Sequence, residues 1–154
     1  MIIEYWSEDS LNFIPKENNY MELTNVNIWA VLVCTMINNF LASIWYSRKV
    51  LGDAWAKEHG FNVELLKPTP WHFAGAFLNA FILCFVLNMF FNNFAIHGMG
   101  NGMTIGFLIW LGFIATTHFS GVIWAKKPFK AYLIDSGYLL LNLILIGAIM
   151  GTWQ

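Results

Sequence analysis

Apolar residues in this chain fall into four long runs, about 26 to 47, 73 to 96, 103 to 124 and 131 to 152, separated by short polar breaks. A hydrocarbon core of roughly 30 Å takes about 20 apolar residues as a helix, so each run predicts one membrane span. The expected fold is all-α, an integral membrane bundle of four transmembrane helices. Between the first two runs, Val50, Leu51, Ala54 and Trp55 recur at helical spacing opposite Asp53, Lys57 and Glu58, before Pro68 and Pro70 interrupt the pattern. This predicts a short interfacial helix on the membrane surface, with partner docking as the alternative use of its apolar side. Two regions follow: residues 1–25 form an N-terminal tail, and residues 26–154 form the transmembrane domain.

Composition supports the membrane reading. The 154 residues are 58% hydrophobic and 11% charged, too little polar material to cover a soluble domain of this size. Basic residues are grouped after the first run (Arg48, Lys49, Lys57, Lys67) and after the third (Lys126, Lys127, Lys130), whereas "HGMGNG" between the second and third runs has none. The Lys and Arg bias places both basic loops in the cytoplasm and both termini outside. Trp45, Trp71 and Trp124 then mark the inner interface, and Trp29 and Trp153 the outer one. The small basic clusters give no footprint for nucleic acid. Residues 1 to 20 are acidic and polar and lack the pattern of a cleavable signal, so the first span is expected to do the targeting.

The first and third runs end alike. "NNFLASIWYSRK" (38–49) is echoed by "THFSGVIWAKKPFK" (117–130), which aligns Trp45 with Trp124 and Phe40 with Phe119. Both helices run outside to inside, so two helical hairpins of like orientation are expected, an arrangement found as parallel repeats in some transporters.

Polar side chains inside the spans cost several kcal/mol when unpaired in hydrocarbon and should face other helices. At about 1.5 Å per residue, Asn39, Asn79, His118 and Asp135 lie at similar depth near the inner side, one per helix, and form a candidate polar layer with Ser43 and Thr117 nearby. Asp135 is the only acidic residue within an apolar run, and His118 is its expected partner. Functionally the pair would carry a proton or orient a ligand. Structurally it would lock helices three and four together.

Asn88, Asn92, Asn93 and His97 make a second stripe toward the outer end of helix two, placed to bond neighbouring helices or to line a shallow crevice. Gly102 and Gly106 begin helix three, and Gly147 and Gly151 end helix four with the small-xxx-small spacing of close helix contacts. Asn88, Asn92, Gly147 and Gly151 are therefore the candidate association surface. Asn93 and Asn142 also fall outside the inner layer and need partners.

Haem ligation by His72 and His118 would span a depth mismatch of roughly 9 Å, so no cofactor is expected. Cys34 and Cys84 lack metal-ligand spacing, and no metal is expected. Among recognised motifs there is no nucleophile with its base, no phosphate loop and no paired carboxylate within the spans, so an enzyme is not expected.

"NIWAVLVCTMINNFLASIWYS", "GDAW", "WLGFIATT" and "FKAYLIDSGYLLLNLILIGAIMGTW" together resemble the domain of unknown function 1761 family of small bacterial integral membrane proteins. The resemblance runs from about Asn27 to Trp153 and rests on Trp29, Trp45, Tyr46, Ser47, Trp55, Trp110, Gly112, Phe113, Asp135, Gly137, Tyr138, Gly147 and Trp153. It implies a four-helix membrane fold in the bacterial cytoplasmic membrane and supplies no activity and no established site. Residues 1 to 20 depart from the family pattern. Met21 is an alternative start, and Tyr5, Trp6 and Phe13 would anchor the tail if it is a real extracytoplasmic arm.

Two functions fit this reading. One is a non-enzymatic accessory or structural subunit, packed in lipid against other membrane subunits or its own copies. The other is a small transporter or ion- or proton-coupled carrier built on Asp135 and His118. A continuous aqueous cavity reaching Asp135 marks the carrier, and an outer face covered by a neighbour marks the subunit.

Overall fold

Asn27 starts the first helix by accepting the Ala30 N–H on its side chain at 3.1 Å, which satisfies one of the amides that an N-terminus leaves orphaned. From there the computed structural model describes residues 25–62 and 68–153. The tail with Tyr5, Trp6, Phe13 and Met21 lies outside the described residues, as does Lys67. The helices are α1 (Ile28–Trp45), α2 (Gly52–Glu58), α3 (Pro70–Asn93), α4 (Met99–Ile109), α5 (Thr116–Trp124) and α6 (Phe129–Thr152). A π-helical segment, Trp110–Ala115, joins α4 to α5 in one span, Met99–Trp124. Four spans are long and apolar enough to cross a membrane, α2 is the short helix between the first two, and no strand occurs among the described residues. The chain is a multi-pass integral membrane bundle.

We call the end carrying Trp45, Trp124 and Lys127 the basic end, and the end carrying Gly98 and Trp153 the opposite end. Glycine decides the closest contact in the bundle, between α4 and α6 at the opposite end. A Cβ on Gly102 or Gly147 would strike the backbone of the other, and one on Gly106 would strike Leu143. The Gly98 N–H donates to the Gly151 carbonyl at 2.6 Å. Small residues let the two backbones touch, which suits a membrane because hydrophobic exclusion drives no helix pairing there.

On the other side of α6, α1 packs against both α6 and α3. Val31 and Cys34 meet Cys84, Leu87 and Phe91 of α3 and Leu143, Ile146 and Met150 of α6 in one buried cluster. That cluster uses only the second half of α3. Residues 71–79 are all exposed, and α5 has no buried residue.

The π segment resets the helical phase of the third span. One extra residue per turn rotates everything after it by about 100°. The bundle-facing stripe therefore passes from Trp110 to buried Ala115 and half-buried His118, leaving Thr117 outside. Thr116 and Thr117 satisfy their hydroxyls on their own helix, at the Gly112 and Phe113 carbonyls. The sequence echo between the first and third spans is not repeated in contacts. Trp45 is half-buried and donates its indole N–H to the Ile134 carbonyl at 3.1 Å, whereas Trp124 is 84% exposed. Trp45 therefore ties α1 to α6, while Trp29, Trp71, Trp124 and Trp153 lie exposed near the span ends, as interfacial indoles do.

Candidate functional site

Asp135 sits nearly two turns into α6, on the face turned to α1 and α2, and its side chain is 15% exposed. Three backbone devices bring donors to it. First, α5 ends with Lys126 in the left-handed region (φ 55°), which folds the chain back so that Lys127 N–H bonds the Gly121 carbonyl. Lys127 Nζ then reaches Asp135 Oδ2 at 2.6 Å. Second, α1 ends in a tight turn closed by Gly52 N–H on the Ser47 carbonyl, and a Cβ on Gly52 would collide with the Tyr46 and Ser47 backbone. That turn drops α2 beside α6. Third, α2 places Trp55 and His59 one turn apart on one side. The Trp55 indole N–H donates to Asp135 Oδ1 at 2.8 Å, the Tyr46 hydroxyl donates to the same oxygen at 3.3 Å, and His59 Nε2 lies 3.5 Å from Oδ2.

The carboxylate is thus occupied on both oxygens. His59 Nδ1 lies 2.8 Å from the Trp55 carbonyl, which can only accept, so Nδ1 carries a proton and Nε2 faces Oδ2. Burial, and next the Asp135 charge, push the Tyr46 phenol above its ordinary range, so it remains a donor at neutral pH. Rings close the site: Tyr46 meets Trp55 edge-on at 5.5 Å and Tyr138 at 5.4 Å, and Trp55 meets His59 at 4.6 Å. A weaker pair, Lys130 to Glu58 at 4.0 Å, adds a second link between α6 and α2. Chemically the arrangement is a clasp that fastens α2 and the α5–α6 loop to the basic end of α6.

The expected layer of Asn39, Asn79, His118 and Asp135 does not assemble. Asp135 and His118 do not pair. Helix α6 turns Ser136, Leu143 and Gly147 toward the third span and Asp135 and Tyr138 toward α1, so Asp135 is served by α2 and Lys127 instead. His118 Nδ1 is buried with no partner among the described residues. Asn39 spends its amide on the Thr35 carbonyl of its own helix at 2.8 Å, and Ser43 likewise bonds Asn39. The inward amide of α1 is Asn38, which accepts the Tyr138 hydroxyl at 2.9 Å, because the buried stripe of α1 runs through Val31, Cys34, Thr35 and Asn38. Asn79 is exposed, and no hydrogen bond reaches its side chain from the described residues.

Nor does the expected association surface face outward. Asn88 is fully buried and accepts the Asn27 N–H at 2.8 Å, while Asn92 donates to the Asn25 carbonyl at 2.9 Å and to Asn88 at 3.3 Å. Gly147 and Gly151 are buried on α4. These four residues close the bundle on itself: Asn88 and Asn92 tie α3 to the start of α1, and Gly147 and Gly151 seat α6 on α4. The shallow crevice is present: Asn25, Val26, Asn27, Asn92 and His97 line about 330 Å³ at the opposite end. Deeper in, Asn142 is fully buried with both amide atoms unpartnered, and Asn88 Nδ2 also lacks a partner among the described residues.

For metals, no group of three His, Cys, Asp or Glu stands together among the described residues. His72 caps α3, its Nδ1 accepting the Thr69 N–H at 3.2 Å, while His118 sits within α5. The residues that sequence reasoning missed are Tyr46, Trp55, His59 and Lys127. Two signals pointed to them: the short Pro128 loop keeps Lys127 within reach of Asp135, and Trp55 on α2 and His59 at its C-terminal cap are spaced at i and i+4.

No curated protein and no solved structure gives a significant match to the chain. The sequence model described as protein of unknown function (DUF1761) matches residues 29–151, which takes in the glycine contact, the Asp135 clasp and nearly all of the four spans, and the chain belongs to that family.

Proposed function

We propose that this protein is a non-enzymatic membrane subunit whose packing is completed by other membrane helices. One observation carries the reading: the first half of α3 is exposed along its length and carries an amide with no partner among the described residues. Residues 71–79 touch no core, and Asn79 lies nine residues beyond Pro70, roughly 13 Å along the helix from its start. A primary amide at that depth loses its water partners and gains none from lipid, so a neighbouring helix is its natural complement. The clasp supports the same reading, since an Asp135 carboxylate held by Lys127, Trp55 and Tyr46 has its acceptor sites filled by fastening the fold. In this proposal the protein lies in a bacterial cytoplasmic membrane with the basic end inside.

The test is capture in lipid. A photo-crosslinking amino acid at Leu78 should trap a membrane protein in native membranes, and native mass spectrometry from nanodiscs should show more than one chain. A protein that is monomeric in lipid and yields no adduct overturns the subunit.

The carrier reading keeps one specific observation, the buried amide of Asn142, which has no partner among the described residues. It requires Asn142→Cys to react with a membrane-impermeant thiol reagent from one side.

A further inference from the structure

The exposed half of α3 has a repeat that the bundle does not use. Gly75, Asn79, Ile82 and Val86 are all exposed and are spaced by four, three and four residues. This is the a/d spacing of a left-handed helix pair, with the only polar side chain of the set at one a position. The buried positions of α3, Ala80, Cys84, Leu87, Asn88 and Phe91, lie on another side, so the other described helices leave the seam uncovered while the bundle is intact. At Gly75 an added Cβ would meet nothing within 4 Å, which leaves the backbone open to close approach.

We infer that the occupant of this seam is a second copy of the same chain, packed in parallel about a two-fold axis along the membrane normal, with the two Asn79 amides hydrogen-bonded to each other. The inference rests on the subunit reading and names its partner. Two features favour a second copy. A primary amide carries one acceptor oxygen and two donor hydrogens, so it complements itself across a two-fold axis. The axis also places Asn79 of both copies at equal depth, whereas an unrelated helix must supply its own polar group at that level. A single a-position asparagine fixes register and pairing in helix pairs of this kind. Gly75, one turn away, brings the backbones together where amide bonding alone would be weak.

The test is disulfide formation in native membranes with the full chain. Ile82→Cys is compared with Phe113→Cys, which is exposed on the third span away from the seam, and with the unmodified chain, whose Cys34 and Cys84 are buried. Ile82→Cys should form a covalent dimer at least five-fold above both controls. Adding Asn79→Leu or Gly75→Leu should return it to the control level without lowering the thermal stability of the detergent-separated monomer, because neither residue touches its core. Equal yields at Ile82 and Phe113, or a yield at Ile82 unmoved by both added changes, overturn the inference. An Ile82 adduct to a different protein, with none to a second copy, overturns the second copy and leaves the subunit reading standing. A chain that forms no adduct at either position and is monomeric in lipid overturns both.

Discussion

Replacing Asp135 by Asn tests whether the clasp fastens the fold. The substitution keeps shape and one oxygen, so Trp55 retains its acceptor, while the group facing Lys127 becomes an N–H₂ that cannot accept. What is lost is the 2.6 Å contact to Lys127, with the His59 approach at 3.5 Å. A hydrogen bond to a charged partner contributes about 1.5–3 kcal/mol, and the partial exposure of the two side chains, 26% and 15%, places this one toward the middle. Asp135→Asn should therefore cost about 2 kcal/mol. Asp135→Ala should cost roughly 1–2 kcal/mol more, because it also strands the Trp55 indole N–H. The assay is reversible unfolding in one detergent at fixed pH, followed by circular dichroism, in a cycle with Lys127→Met. Coupling between the two changes should be about 1.5 kcal/mol, well above the scatter of independent sites. Additivity within about 0.5 kcal/mol would refute the clasp, leaving the short distance without energetic weight.

Three further outcomes follow from individual contacts. Gly147→Ala must part α4 from α6, since its Cβ would meet the Gly102 backbone, and should cost about 1–3 kcal/mol or more in the same unfolding assay, whereas Gly100→Ala, with open space around it, should stay near neutral. Lys126→Gly should stabilise the monomer by about 0.5–1 kcal/mol by relieving its left-handed backbone, provided that Lys127 still reaches Asp135 in the coupling cycle. Because the Tyr46 phenol is raised by burial and the Asp135 charge, its contribution is fully present below the ordinary tyrosine range and is lost as pH rises through its folded value. Alkaline titration should accordingly show a smaller stability loss above about pH 10 in Tyr46→Phe than in the parent.

Hydropathy made the four spans legible, because length and apolar content alone decide whether a helix fits a bilayer. The short helix was legible from its period. Rotation was not. Choosing Asn38 over Asn39 needs the phase of α1, which its contacts with α3 and α6 fix, and a π segment in the third span shifts phase without any mark in the apolar pattern. The role of α2 was hidden for a related reason. Trp55 looks like a lipid-side anchor when its helix is considered alone, and becomes a donor to Asp135 only once the Gly52 turn folds α2 onto α6. Gly147 and Gly151 were correctly read as a close helix contact but assigned to another subunit, since spacing on one helix cannot say which chain supplies the partner.

The two ends of the molecule are fastened by different physics, and what neither fastens is informative. At the opposite end, backbones touch through glycine and the Asn27–Asn88 bond ties α1 to α3. At the basic end, Asp135 gathers donors from α2, from Tyr46 and from the α5–α6 loop. Neither device reaches the basic-end half of α3. In water a helix segment without tertiary contacts would fray, because solvent competes for its backbone bonds. In hydrocarbon it stays helical, because no competing partner exists for its N–H and C=O groups. Lipid therefore preserves the free half of α3 as a formed helix with Asn79 displayed on it. In the proposed subunit the contact surface would thus be formed before any neighbour arrives, and binding there would incur little of the ordering cost that a disordered segment would.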